Sequence, residues 1–325
     1  MNRSRKTGLI FVGFVLLLVL ALSTAQAAEG TDASATPKLE TIVLVDGSTI
    51  TGIVTTEDGD SVNLRLVDGT TRSIHKSFIA SRKGTKKVKV VRGQVWGRNP
   101  MRTKYIFTPS AIPLRKGEGY LSLKQLTILE GAWGVTDNLS LDVGSFLPGI
   151  FMGKDTANVI LGIKYARKIA DKVHLGGGVT SIVLPFNGFV ATPLIGLTYG
   201  QETGDAQVTL GVGKPFAYNF KEHESASADL VINLSGMVRV SSAGAIVLEN
   251  WFFPGTPGLC FGGDPGTDGA GEDVFCEESG WGMLSIHVIG FRKINKASSW
   301  DLGLIYLGGF PVPYPWFEYT WYLGE

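Results

Sequence analysis

The sequence predicts an all-β fold: a transmembrane antiparallel β-barrel of about twelve strands, with ten as the alternative, preceded by a small periplasmic β-domain of SH3-like or Sm-like character. The main observation is a succession of segments from 102 onward in which apolar and polar residues take turns. Such segments have lipid on one face and water or polar partners on the other. Tight polar turns alternate with longer loops between them. The N-terminus adds an export signal: Arg3, Arg5 and Lys6, an uncharged apolar run from Gly8 to Leu22, then small residues ending in Ala25-Gln26-Ala27. That order predicts a signal peptide over 1–27, cleaved before Ala28. The apolar run is short for a membrane helix, and no later segment reaches the roughly 18 apolar residues one needs.

Residues 28–38 are small and polar, a linker. Over 39–95, Asp46-Gly47, Asp58-Gly59 and Asp68-Gly69 punctuate β-rich runs. Asp-Gly between such runs is a strong hairpin signal, so a compact antiparallel meander is expected. The string Leu44-Val45-Asp46-Gly47-Ser48-Thr49-Ile50-Thr51-Gly52 resembles the opening of Sm-like small barrels. Export argues against an RNA partner, and a net charge of +1 argues against nucleic acid generally. A basic stretch follows, with Arg82, Lys83, Lys86, Lys87, Lys89 and Arg92. It reads either as a solvated strand and linker or as a patch for anionic envelope polymer or lipid headgroups.

The barrel is expected over 96–325, with strands near 103–110, 120–133, 139–147, 157–169, 173–184, 188–200, 206–213, 226–240, 245–253, 281–294, 299–309 and 316–324. Short turns at 134–138, 170–172, 201–205, 241–244 and 295–298 belong on the periplasmic side, with both barrel ends. Alternation is plain in 226–240, where Leu230, Ile232, Leu234, Val238 and Val240 oppose Asp229, Asn233, Ser235 and Arg239. Trp133, Tyr165, Tyr199, Trp300 and Trp321 fall beside the turns or the terminus, as an interfacial girdle would. Arg167 and Arg292 break the lipid-face rule, each near a turn where a long side chain can snorkel. Gln125 and Thr127 make 120–133 the weakest strand.

Strand parity places Asp142, Lys164, Lys168, Asp229, Arg239, His287, Lys293, Asp301 and Glu318 in the lumen. Mixed signs fit a salt-bridged filling or a polar path for a small solute. The four histidines are His75, His174, His223 and His287, and only His287 has a serine, Ser285, two residues away on the same face. Packing is the plainer explanation of that pair, so no enzyme, cofactor or metal is expected. Cys260 and Cys276 share one exported loop and are expected to form a disulfide. The acids of that loop read as solvated surface, with Ca²⁺ binding the lesser alternative.

The run from Phe107-Thr108-Pro109-Ser110-Ala111 through Lys116-Gly117-Glu118-Gly119-Tyr120, followed by Gly134-Val135-Thr136-Asp137-Asn138, resembles a family of largely uncharacterised Gram-negative outer-membrane β-barrels. The resemblance implies the fold and the outer membrane, over about 100–325, and brings no catalytic residue. The expected partners are outer-membrane lipid and the barrel-assembly machinery. The expected role is passive: a narrow porin-like channel, a transport accessory or a structural envelope component. The alternatives are a secreted or periplasmic all-β binding protein and an outer-membrane hydrolase using His287.

Overall fold

A computed structural model describes residues 38–66, 70–87, 89–91, 94–152, 156–227, 230–254, 283–295, 297–308 and 312–324. The leader, most of the linker, Asp229, and the loop that carries Cys260 and Cys276 lie outside the described residues. The chain divides into two compact units between Arg98 and Asn99.

The first unit is a five-stranded antiparallel sheet. Its strands are β1 (Lys38–Leu44), β2 (Thr49–Glu57), β3 (Ser61–Leu66), β4 (Thr71–His75) and β5 (Ile79–Lys87). A single 3-10 turn, Lys76–Phe78, joins β4 to β5. The sheet order is β4-β3-β2-β1-β5. Gly47, at φ +83°, supplies the left-handed residue that the β1–β2 turn requires. Ile42, Val62, Leu64 and Ile74 form the core, because alternate residues of each strand share one face. Arg82 of the basic stretch is occupied: it reaches Glu40 at 2.7 Å and Glu57 at 2.9 Å. A short hairpin, β6 (Lys89–Val91) with β7 (Gln94–Trp96), ends this unit.

The second unit is a closed antiparallel barrel of twelve strands. Around the ring these are β8 (Gly119–Lys124), β9 (Ile128–Gly134), β10 (Leu139–Phe146), β11 (Val159–Ala170), β12 (Val173–Leu184), β13 (Gly188–Gly200), β14 (Ala206–Gly213), β17 (Val231–Ser241), β18 (Gly244–Pro254), β19 (Met283–Ile294), β20 (Ser298–Leu307) and β21 (Tyr314–Leu323). Pairing of β21 with β8 closes the circle. Beyond Pro215 the β14–β17 hairpin continues outward as β15 (Phe216–Asn219) and β16 (Glu224–Ser227).

The expected strand number holds, but two divisions of the sequence change. The stretch 103–110 is not a wall strand, and 120–133 is two strands joined by a tight turn. Gln125 and Leu126 take φ values of +51° and +58°, a doubly left-handed pair that reverses the chain without glycine. The Gln125 amide then holds β21, donating to the Pro315 carbonyl at 2.7 Å. Consequently β8 has only six residues against thirteen in β13, leaving the wall low on one flank. A one-turn helix, α1 (Leu147–Phe151), follows β10, and its first N–H donates to the Thr127 carbonyl at the hairpin tip.

The outer face of the ring is apolar and exposed: Leu141, Val143, Leu161, Ile163, Ile195, Leu197, Leu210, Ile289, Leu302 and Leu304 all point away from the lumen. Trp133, Tyr165, Tyr199 and Trp321 are exposed on this face near the short-turn end. So continuous an apolar band is foreign to a water-facing surface and natural against hydrocarbon.

Candidate functional site

The lumen is filled at its centre by the chain's own residues 99–118. Met101, Arg102, Thr103, Lys104, Tyr105, Ile106, Thr108 and Ser110 are all buried, and they bond to side chains from strands all around the ring. The segment turns back on itself, Ser110 N–H donating to Thr103 at 2.9 Å and Tyr105 N–H to Thr108 at 2.9 Å. A plug of irregular backbone inside a barrel exposes many peptide groups, and each needs a partner there.

The wall supplies those partners. Glu249 of β18 accepts the N–H groups of Ile106, Phe107 and Thr108 at 3.0, 2.9 and 2.9 Å, the Thr108 hydroxyl at 2.5 Å and the Trp251 indole at 2.7 Å. Three successive N–H groups converging on one carboxylate make a backbone nest for an anion. Arg292 of β19 does the converse. It forks onto Asp301 with two 2.7 Å bonds and donates to the carbonyls of Met101, Lys104 and Tyr105. The ammonium of Lys164 meets three more carbonyls, those of Thr103, Ser110 and Ile112, at 3.2–3.4 Å. Lys104 of the plug returns a charge to the wall, 2.5 Å from Glu318 and over the Tyr120 ring. Gln207 donates to the Arg102 carbonyl, Tyr105 pairs with Thr209, and Thr198 accepts the Ala111 N–H.

The motifs singled out in the sequence are the plug and its exit. The Glu118 carboxylate takes the Arg102 guanidinium at 2.7 Å and the Arg115 N–H at 3.0 Å. Gly117 turns the chain at φ +82°. Gly134 must lack a side chain because a Cβ there would lie 2.1 Å from the Arg115 carbonyl oxygen. Asp137 accepts the Lys116 N–H, tying the first short turn to the strap above it.

Toward the loop end the plug floors a cup of about 590 Å³. Its walls are unusually apolar for a barrel interior, with Leu194, Val231, Trp251, Phe253, Ile286 and Ile305 among them. Asp142 and Lys164 are the charged residues of its lining. Lys164 is engaged by the plug, whereas Asp142 accepts no hydrogen bond from a described residue.

Of the residues placed in the lumen by parity, Asp142, Lys164, Arg239, Asp301 and Glu318 face inward, and Lys168 stands exposed at the short-turn mouth, 3.6 Å from Asp171. Three assignments are corrected. His287 and Lys293 lie on the outer face, and Arg292, expected beside lipid, points inward and is fully buried. The reason is the plug: Val288 and Ile294 of β19 pack with Tyr105, Ile106, Met237, Val247 and Trp316, so apolar residues lie on the inner face of this strand as well as on the outer one, where Ile289 and Phe291 are exposed. Sequence reasoning missed Lys104 and Glu249 and misplaced Arg292, because nothing marked 99–118 as a plug, and it left Asp205 in a short turn. Asp205 pairs with Arg239 at 3.2 Å.

Comparison with known proteins gives little beyond this. No family model and no curated protein matches the chain. Among solved structures, the NanC porin shares 10% identity at a TM-score of 0.37, covering 64% of this chain and 99% of that one. OmpT of Vibrio cholerae shares 8% at 0.32 (88% and 95%), and Salmonella typhi OmpF in complex with daunomycin 9% at 0.31 (88% and 95%). The chain's own strand pairing, closed by β21 on β8, makes the barrel.

Proposed function

We propose that the protein is an outer-membrane barrel kept shut by its own residues 99–118, a transport accessory that receives a small apolar or amphiphilic molecule in its loop-side cup. The leader would export the chain, the barrel-assembly machinery would insert it, and the N-terminal sheet, of SH3-like or Sm-like type, would stay in the periplasm. The apolar outer band supports the membrane placement. The observation that carries the role is the plug. A porin needs a wet, continuous path, and here Glu249, Arg292 and Lys164, which could have lined one, are consumed in holding plug backbone, and Glu318 in pairing with Lys104.

Planar-bilayer recording of refolded protein tests this. The expected record is a quiet baseline, with brief openings after Arg292→Ala loosens the plug. A steady porin-like current through the unaltered protein would overturn the reading. In parallel, an apolar fluorescent probe such as N-phenyl-1-naphthylamine should bind the folded barrel and lose affinity at least fivefold in Leu194→Asp, which charges the cup wall.

A further inference from the structure

The outer face of the barrel carries a second, unrelated constellation. Ser285 and His287 sit two residues apart on β19, and Asn250 lies opposite His287 on β18. His287 Nε2 is 3.1 Å from the Ser285 hydroxyl, and its Nδ1 is 2.8 Å from Asn250 Oδ1. The orientation of the Asn250 amide is settled by its other end: Nδ2 donates to the Leu234 carbonyl at 3.0 Å, so Oδ1 must face the imidazole. The imidazole therefore carries its proton on Nδ1, donates it to Asn250, and presents the Nε2 lone pair to the serine hydroxyl. That is the arrangement of nucleophile, base and orienting group used in acyl transfer, recognised by geometry rather than by chain order.

The ring is held in this pose by Tyr306, stacked at 6.3 Å, and by Phe252, edge-on at 5.8 Å. Asn250 and Ser285 are 2% and 3% exposed, so both partners are shielded from competing water, while His287 is only half-buried. Beside the hydroxyl lies Gly308, whose N–H donates to the Ser285 carbonyl at 2.7 Å. A Cβ at 308 would stand 2.8 Å from Ser285 Oγ, so only glycine can pack this closely beside the nucleophile. Ser285 is two residues from Met283, where β19 begins at the loop end. With Ile289 and Leu304 exposed below it, the group meets the lipid surface near the level where acyl chains join their headgroups.

We infer that Ser285, His287 and Asn250 form an acyl-ester hydrolase site facing the lipid, with bilayer glycerophospholipids as its substrate class. Ser285 Oγ attacks the ester carbonyl and gives its proton to His287 Nε2. His287 then protonates the departing glycerol oxygen as the carbonyl–oxygen bond breaks, leaving an acyl-serine. Water, deprotonated by the same nitrogen, releases the fatty acid and restores the serine. Asn250 is a positioning residue that fixes the tautomer. The cup and plug take no part.

Full-length protein in mixed micelles of detergent and dioleoyl-phosphatidylethanolamine tests the chemistry independently of whether the lumen is plugged. Oleate release is expected, falling at least 100-fold in Ser285→Ala and His287→Ala. A fluorophosphonate probe should add its mass to the peptide containing Ser285 and fail to do so in His287→Ala. Asn250→Ala should lower kcat about tenfold with KM unchanged and displace the acid limb of the pH–rate profile, which a merely structural loss would not do. Heat-modifiable migration on gels reports that each variant folds. Absence of both hydrolysis and labelling in folded protein, or hydrolysis that survives Ser285→Ala, would overturn the assignment.

Discussion

Replacing Glu249 by alanine should release the plug without unfolding the barrel. The carboxylate accepts five hydrogen bonds, four of them from the plug: three peptide N–H groups and the Thr108 hydroxyl. Hydrogen bonds to a charged group contribute roughly 1.5–3 kcal/mol each, and buried donors left without an acceptor cost a similar amount. Water entering the vacated space recovers part of this, leaving a net loss of about 4 kcal/mol in docking free energy. At about 1.4 kcal/mol per decade, the undocked fraction should rise about a thousandfold. The β18–β19 and β17–β18 ladders do not depend on Glu249, so the wall should persist. Hydrogen exchange of a peptide spanning 104–112 reads the change directly, with unaltered protein nearly fully protected and Glu249→Ala exchanging within minutes. Glu249→Gln, which keeps one acceptor oxygen, should fall between. If Glu249→Ala migrates as a folded barrel yet its plug exchanges as slowly as the parent's, the nest is not what holds the segment, and the account of the lumen fails.

Arg292→Leu leaves Asp301 as a buried charge without its fork and frees three plug carbonyls; about 3–5 kcal/mol of stability should be lost, measured as a lowered midpoint in heat-modifiability, and Arg292→Leu/Asp301→Leu should recover part of it. In the N-terminal sheet, the Glu57 carboxyl is held below its ordinary 4.5 by hydrogen bonds from Arg82 and then Lys76, and Asp58 is held low by Ser61. A depressed carboxyl pKa stabilises the folded form fully above the unfolded value and progressively less as pH falls through the folded one. The protection factors of β2 and β5 amides, which divide out the intrinsic exchange rate, should therefore fall as the pH drops below 4.5, and Glu57→Gln should flatten that dependence.

The wall was legible because lipid imposes a simple rule on one face of each strand. Segments such as β11 and β21 show it without ambiguity, with Leu161, Ile163 and Tyr165 or Phe317, Tyr319 and Trp321 outward. The plug was not legible, because Thr103 to Ser110 mixes polar and apolar residues much as a strand does. Its identity depends on Glu249, Arg292 and Lys164, which are 52 to 191 positions away from the groups they hold. The same hidden partner reversed β19: Val288 and Ile294 pack inward on Tyr105 and Ile106, and Ser285 and His287 face out beside Ile289. The β8–β9 turn escaped notice because Gln125 and Leu126 adopt a conformation usually left to glycine or asparagine.

The shortness of β8 bears on the surrounding bilayer. Six residues span about 20 Å along a strand, and at a tilt near 40° they rise only about 15 Å, well below the roughly 25 Å apolar band of such barrels. Above them come the exposed Ile150, Phe151 and Met152 of α1 and its end, where an ordinary loop would be charged. Lipids on that side meet a stunted parapet with an oily lip, and the leaflet must sag to cover it. One sector of the circumference would thus be ringed by thinned membrane, a local weakness in the permeability barrier created by nothing more than a hairpin that ends too soon.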